Sequence, residues 1–153
     1  KLENSGCKID IENDSIRIRG SSKIKPVDVT TAVYPGFPTD LQAQFLSLMT
    51  LADGNSKITD TIFPDRFMHV AELNRLETDI KVERNTAFIR GREHLSGAEV
   101  MATDLRASAA LVLAGLTAKG QTSVSRIYHI DRGYLQIEKK LQAVGADITR
   151  VLG

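Results

Sequence analysis

The sequence is short of the residues that build disulfides, metal centres and membrane spans. Its single cysteine, Cys7, cannot form an intramolecular disulfide, and no metal cluster can rest on thiolates. Three histidines, His69, His94 and His129, are scattered without metal-ligand spacing, so no metal and no cofactor are expected. No apolar run approaches the roughly 18 residues that cross a bilayer, so no membrane span is expected. No signal peptide is visible, and a reducing, cytoplasmic setting is the default expectation. Charge of one sign is also missing: 20 Lys and Arg face 19 Asp and Glu, a net charge of +1. That balance gives no bulk field for nucleic acid or an anionic membrane, although a local arginine cluster can still take a small anion.

What is present suits one ordinary domain: 153 residues, 42% apolar and 25% charged. The chain begins at Lys1 rather than Met, and a piece of a longer protein is the expectation.

The chain repeats itself. Thr39-Asp40-Leu41-Gln42-Ala43 returns as Thr103-Asp104-Leu105-Arg106-Ala107, an offset of 64. Asp65-Arg66 returns as Asp131-Arg132 at 66, and Asp79-Ile80 as Asp147-Ile148 at 68. "CKIDIENDSIRIRG", ending at Gly20, aligns with "TDIKVERNTAFIRG", ending at Gly91, at offset 71. Three portions follow: 1–37 holds the tail of one unit and the start of the next, 38–91 a full unit, and 92–153 an incomplete last one.

Within a unit, Thr39 with Gln42 reads as a capping box. Leu41, Phe45, Leu48, Met49 and Ala52 then recur at helical spacing, and Asp53-Gly54 stops the helix. "SKITDTIF" (56–63) reads as a strand. Asp65 reads as the cap of a second helix with Phe67, Val70 and Leu73 inward. "DIKV" and "AFIR" form a hairpin around Arg84-Asn85. A strand before Tyr34 completes the unit. "ASAALVLAGLTA" is apolar nearly all round and should be buried on most sides. The class is α/β (α+β by some schemes), with helices packed on sheet. The last unit ends at "ADITRVLG" without a hairpin partner, and the first lacks its helices. Unpaired edges and uncovered apolar faces are expected, with self-association as one outcome.

Asp40 follows the turn-rich "YPGFPT" at a helix start. It either stabilises the helix N-terminus, as its twin Asp104 would, or belongs to a site. Arg66 and Arg132 read as first-turn residues of helices, where a cation opposes the macrodipole. Either the neighbouring Asp offsets each charge, or the arginines bind an anion there. Arg106 poses the same question. Convergence of these arginines with one carboxylate points to a phosphate- or carboxylate-bearing ligand. Cys7, His69 and His129 read as structural, and Tyr128 and Tyr134 as packing beside Arg132. "LAGLTAKGQT" is not a phosphate loop.

Four strings carry a family resemblance: "PGFPTDLQAQF" (35–45), "TIFPDRFMHVAEL" (61–73), "LSGAEVMATDLRASAALVLAGL" (95–116) and "RIYHIDRGYLQIEKKL" (126–141). Together they closely resemble the UDP-N-acetylglucosamine 1-carboxyvinyltransferase family, the UDP-N-acetylglucosamine enolpyruvyl transferases. The resemblance implies an inside-out α/β barrel of βαβαββ units, three per domain, with helices inside and sheets outside. It implies transfer of the enolpyruvyl group of phosphoenolpyruvate to the 3′-hydroxyl of UDP-N-acetylglucosamine, the first committed step of peptidoglycan synthesis. It gives Asp40 the sugar hydroxyl and its proton, Ile62 a backbone contact with the UDP-sugar, and Arg132 a grip on phosphoenolpyruvate. Arg106, Arg66 and Asp104 would line the same cleft. The family's reactive cysteine, its phosphoenolpyruvate-binding lysine and further arginines lie in the other domain, whose motifs are absent. Cys7 is outside the reactive-cysteine motif, and the isolated chain is expected to be inactive. The alternatives are the related shikimate-pathway enolpyruvyl transferase and a non-catalytic anion-binding repeat domain.

Overall fold

The first elements of the computed structural model, which describes residues 1–151, form a hairpin standing apart from the core. β1 (Lys8–Ile11) pairs antiparallel with β2 (Ile16–Arg19), with Ile9 opposite Ile18 and Ile11 opposite Ile16. One face is therefore all isoleucine, yet Ile11, Ile16 and Ile18 are exposed. In the aligned hairpin downstream, Ile80, Ala87 and Ile89 occupy this face and are buried.

The full unit follows in the expected order. β3 (Val29–Thr30) is the strand before Tyr34. A short 3-10 turn (Thr39–Leu41) leads into α1 (Gln42–Met49). β4 (Asn55–Thr59), α2 (His69–Arg75), β5 (Asp79–Glu83) and β6 (Thr86–Arg90) complete the unit. The sheet order is β3-β4-β6-β5: β3 runs parallel to β4, and β6 runs antiparallel to both its neighbours. The hairpin turns at Arg84-Asn85, with Arg84 in the left-handed region at φ 55°.

The third portion contributes β7 (Glu99–Met101), α3 (Leu105–Thr117), β8 (Ser123–Ser125), α4 (Tyr128–Asp131) and α5 (Ile137–Gln142). β7 and β8 are parallel, as β3 and β4 are. The helices α1 and α3 pack directly together, and Ser47 Oγ donates to the Ala110 carbonyl at 3.1 Å. Leu46, Met49, Ile58, Leu73, Ile89, Leu95 and Leu111 form one core between helices and sheet.

Four local expectations are corrected. Thr39 caps no helix, because its hydroxyl donates to the buried Asp60 carboxylate at 2.6 Å instead of turning back on the backbone. Asp65 caps nothing either: residues 64–68 form turns, and α2 starts at His69. The strand in "SKITDTIF" ends at Thr59, where Asp60 draws the amides of Ile62 and Phe63 into a turn. Residues 147–151 form no strand, because no neighbour offers them backbone partners as β6 does for β5. As expected, α3 is buried on most sides, with Leu113 and Leu116 left 43% and 37% exposed. No helix among the described residues is long and apolar enough to cross a membrane.

Candidate active site

The two twin aspartates have different local structures and different partners. Asp104 is a true N-cap of α3: its Oδ1 accepts from the amides of Arg106 and Ala107 at 2.8 and 3.0 Å. Asp40 sits inside the 3-10 turn and makes no capping bond. Its carboxylate is 65% exposed and is held by two arginines. Arg106 approaches Oδ1 with Nε at 2.7 Å and Nη2 at 2.6 Å, and Arg66 Nη1 lies 3.3 Å from the same oxygen. Asp104 therefore stabilises its helix start by capping, whereas Asp40 stands in a first turn without a cap and faces two arginines.

Arg66 is fixed from three sides. Its Nη1 donates to Thr39 Oγ1 at 3.0 Å, and its guanidinium carbon lies 3.9 Å from the centre of the Phe63 ring. Asp40 closes the third side. Thr39 can accept from Arg66 because its own proton is donated to Asp60 Oδ2. Asp60 is fully buried, and its Oδ1 accepts from the Thr31 hydroxyl and the amides of Ile62 and Phe63 at 2.8–2.9 Å. Burial alone would raise the Asp60 pKa. Hydrogen bonds from Phe63, Thr39, Thr31 and Ile62 outweigh it and hold the carboxyl below its ordinary value. A buried anion thus ties β3, the Asp40 turn and the Ile62–Phe63 turn together, and a chain Asp60–Thr39–Arg66–Asp40 runs from core to surface.

Neither Arg66 nor Arg132 stands in the first turn of a helix, so neither opposes a helix dipole. Arg66 precedes α2, and Arg132 is the C-cap of α4, where a cation is favoured. Only Arg106 stands at a helix start, where Asp104 and Asp40 offset its charge. Asp131 does not neutralise Arg132: both its oxygens are taken by Arg150, at 2.6 and 2.9 Å. That hydrogen bonding holds the Asp131 pKa down and raises that of Arg150. Arg132 is exposed, and its turn packs on the start of α3, where Gly133 lies so close that a Cβ would sit 2.8 Å from Leu105. The structure therefore brings together Asp40, Arg66 and Arg106, with Asp104 at the base of Arg106 and Arg132 on the adjoining turn. Ile62 has its amide committed to Asp60, which leaves its carbonyl for any ligand.

Asp60, Thr39 and Phe63 were missed as site residues. One signal was available: at offset 66 Asp60 aligns with Arg126, so the acidic residue is not carried through the repeat. His69 is buried, and burial lowers its pKa to about 4 despite the opposing pull of Asp104. That agrees with a structural role. Tyr128 is 58% exposed, with its ring tilted against that of His129 at 4.3 Å between centres.

Parallel β-α-β units with their helices packed together, and two arginines gathered on the Asp40 carboxylate, define an enolpyruvyl-transferase-type α/β fold. The profile of the EPSP synthase (3-phosphoshikimate 1-carboxyvinyltransferase) family matches residues 1–141, and the chain belongs to that family. More particularly, it is 57% identical over 151 residues to the UDP-N-acetylglucosamine 1-carboxyvinyltransferase of Methylacidiphilum infernorum, covering 99% of this chain and 36% of that protein. Identity to the same-named protein of Xanthobacter autotrophicus is 58% over 153 residues, with the same shares covered. The enolpyruvyl transferase NikO from Streptomyces tendae superposes with TM-score 0.87 at 31% identity, over 97% of this chain and 34% of that one. EPSP synthase from Acinetobacter baumannii, at 18% identity and TM-score 0.71, shares the fold; the match covers 97% of this chain and 36% of that one. The chain thus spans about a third of the length of the proteins it matches.

Proposed function

We propose that residues 1–153 are part of one domain of an enzyme that transfers the enolpyruvyl group of phosphoenolpyruvate to the 3′-hydroxyl of UDP-N-acetylglucosamine. The enzyme works in the cytoplasm at the first committed step of peptidoglycan synthesis. The observation that carries the reading is Asp40, an exposed carboxylate between Arg66 and Arg106. The names of the relatives at 57–58% identity support the choice of acceptor.

In the net reaction, the sugar oxygen bonds to C2 of phosphoenolpyruvate, the C2–O bond to phosphate breaks, and the hydroxyl proton is lost. Asp40 takes the place beside the 3′-hydroxyl and handles that proton. Arg106 and Arg66 stand where negative charge must be held, and their planar guanidinium groups match carboxylate and phosphate edges. Arg132 grips phosphoenolpyruvate from the adjoining turn, and Asp104 holds the backbone of Arg106 in place. The Ile62 carbonyl contacts the UDP-sugar. The portions 1–37, 38–91 and 92–153 are the tail, full and incomplete units of this domain. The other domain lies outside the chain. The chain alone is inactive, because half the anion clamp is missing and no cleft can close over the substrates. Self-association through its open edges is the corresponding hazard of the isolated piece.

The test is phosphate release by the longer polypeptide containing this chain, supplied with phosphoenolpyruvate and either UDP-N-acetylglucosamine or shikimate 3-phosphate. Release driven by the UDP-sugar supports the reading. Release driven by shikimate 3-phosphate replaces it with the related transferase. No release with either acceptor favours a non-catalytic anion-binding domain.

A further inference from the structure

Arg66 and Arg132 are counterparts in the repeat, yet they are fixed in different ways. Arg66 is held through its side chain by Thr39, Asp40 and the Phe63 ring. Arg132 makes no ion pair and no side-chain hydrogen bond among the described residues, since Arg150 occupies its neighbour Asp131. The place of its guanidinium therefore follows the place of its turn.

That turn does not hold itself. α4 is a single turn of four residues, too short to be stable alone in water. Ile130 is buried and anchors it from below, and the amides of Gly133 and Tyr134 both donate to the Ile130 carbonyl, at 3.1 and 2.9 Å. Sideways, α4 packs on α3, and Gly133 meets Leu105. A Cβ on Gly133 would lie 2.8 and 2.9 Å from the two Leu105 methyl carbons and 3.4 Å from Leu105 Cγ. Carbon atoms in easy contact lie about 3.5–4.0 Å apart, so any side chain at 133 would displace the turn or Leu105 by about 1 Å. Gly133 does not have a positive φ, so the close approach, and not the backbone conformation, is what requires glycine.

Leu105 is itself well placed to act as a stop. It lies between Asp104 and Arg106 in the first turn of α3, where Asp104 caps the amides of Arg106 and Ala107. The contact thus joins the residue before Arg106 to the residue after Arg132. The middle unit has no equivalent. At offset 64 Leu105 corresponds to Leu41, which is 51% exposed, and at offset 66 Gly133 corresponds to Phe67, which is 7% exposed in the core.

We infer that Leu105 and Gly133 are positioning residues that set the spacing of Arg106 and Arg132, and with it the width of the anion clamp. The inference rests on the role proposed above for Arg132 in gripping phosphoenolpyruvate.

Steady-state kinetics and calorimetric titration with phosphoenolpyruvate, both on the longer polypeptide, test it. A misplacement of about 1 Å can cost ~100-fold, so Gly133→Ala should raise KM and Kd for phosphoenolpyruvate by about tenfold or more. KM for the UDP-sugar should stay near the native value. In an Arg132→Lys background, Gly133→Ala should add less than about twofold, because no guanidinium fork remains to misplace. Leu105→Val draws the methyl groups back, and combined with Gly133→Ala it should restore Kd to within about threefold of the native value. Unchanged KM and Kd in Gly133→Ala would mean that Leu105 simply swings aside, and would overturn the inference. So would a loss that Leu105→Val does not repair, or one that persists in full in Arg132→Lys. A native polypeptide that binds phosphoenolpyruvate but turns over neither acceptor would defeat the transferase reading alone, and the titration would still decide the clamp. One that does not bind phosphoenolpyruvate at all would overturn both.

Discussion

Arg106 reaches Asp40 across 66 positions of sequence, placing Nε and Nη2 at 2.7 and 2.6 Å from the same carboxylate oxygen. Stability does not account for this pair. The Asp40 side chain is 65% exposed and that of Arg106 34%, and such solvent-exposed pairs contribute about 0–1 kcal/mol. In the longer polypeptide, Arg106→Lys should therefore shift the unfolding free energy by no more than about 1 kcal/mol. It should lower kcat/KM for phosphoenolpyruvate by at least about tenfold, because an ammonium cannot form the guanidinium fork. Denaturant melts and steady-state kinetics on one preparation separate the two effects. A matched loss of stability and rate would make Arg106 structural.

Arg132 is the second kinetic test. Because Arg150 occupies both oxygens of Asp131, Arg132 has no claim on its neighbour. Arg132→Lys should leave the melting curve unchanged and impair use of phosphoenolpyruvate. Asp131→Asn should alter neither the melting curve nor the kinetics, since that pair lies at the surface, where ion pairs contribute little. Unchanged kinetics in Arg132→Lys would remove Arg132 from the site.

Asp60 should be the most damaging single position near the site. Asp60→Ala strands two hydroxyls and two amides whose protons now point at one buried carboxylate. Unsatisfied buried groups cost roughly 1–3 kcal/mol each before relaxation, so a loss of about 3 kcal/mol or more is expected in a urea melt. Thr39→Val removes both the acceptor for Arg66 and the hydroxyl donated to Asp60 Oδ2, and should cost roughly 1–3 kcal/mol of stability while raising KM for the anionic substrate. A neutral Asp60→Ala would mean that the buried anion organises nothing.

Acid should unfold the chain in two stages. Between pH 6.5 and about 4 the unfolded chain binds a proton at His69 that the folded chain does not, so stability falls as pH falls. At about 1.4 kcal/mol per pH unit, the loss is about 3 kcal/mol across that window. The contribution of Asp60, with its pKa lowered, is present above its ordinary value of 3.8 and is lost only as pH falls below it. His69→Leu should flatten the first stage and leave the second. A profile unchanged by His69→Leu would contradict the burial argument.

The repeat was legible because the helix starts and the 79–90 hairpin recur in sequence, and their alternation gave the sheet that holds the site. The convergence of Asp40 with Arg106 was legible as well, since equivalent ends of repeated helices tend to meet on one face. Thr39 and Asp60 were not. A threonine three residues before a glutamine satisfies the capping-box pattern, and nothing local reveals that a carboxylate 21 positions away takes its hydroxyl. The helix start assigned to Arg132 failed for a related reason. Local pattern cannot tell the first turn of a helix from its last when the helix is only four residues long.

The central claim is that Asp40, gripped by Arg66 and Arg106, acts on the acceptor hydroxyl. Its most direct test is kcat for UDP-N-acetylglucosamine-dependent phosphate release in the longer polypeptide, for the native sequence and Asp40→Asn side by side, with UDP-sugar affinity measured on both. Asn keeps the size and one oxygen but cannot take the proton. The account predicts a fall in kcat of roughly 10²–10⁴-fold with affinity nearly unchanged. A near-normal kcat in Asp40→Asn would contradict it.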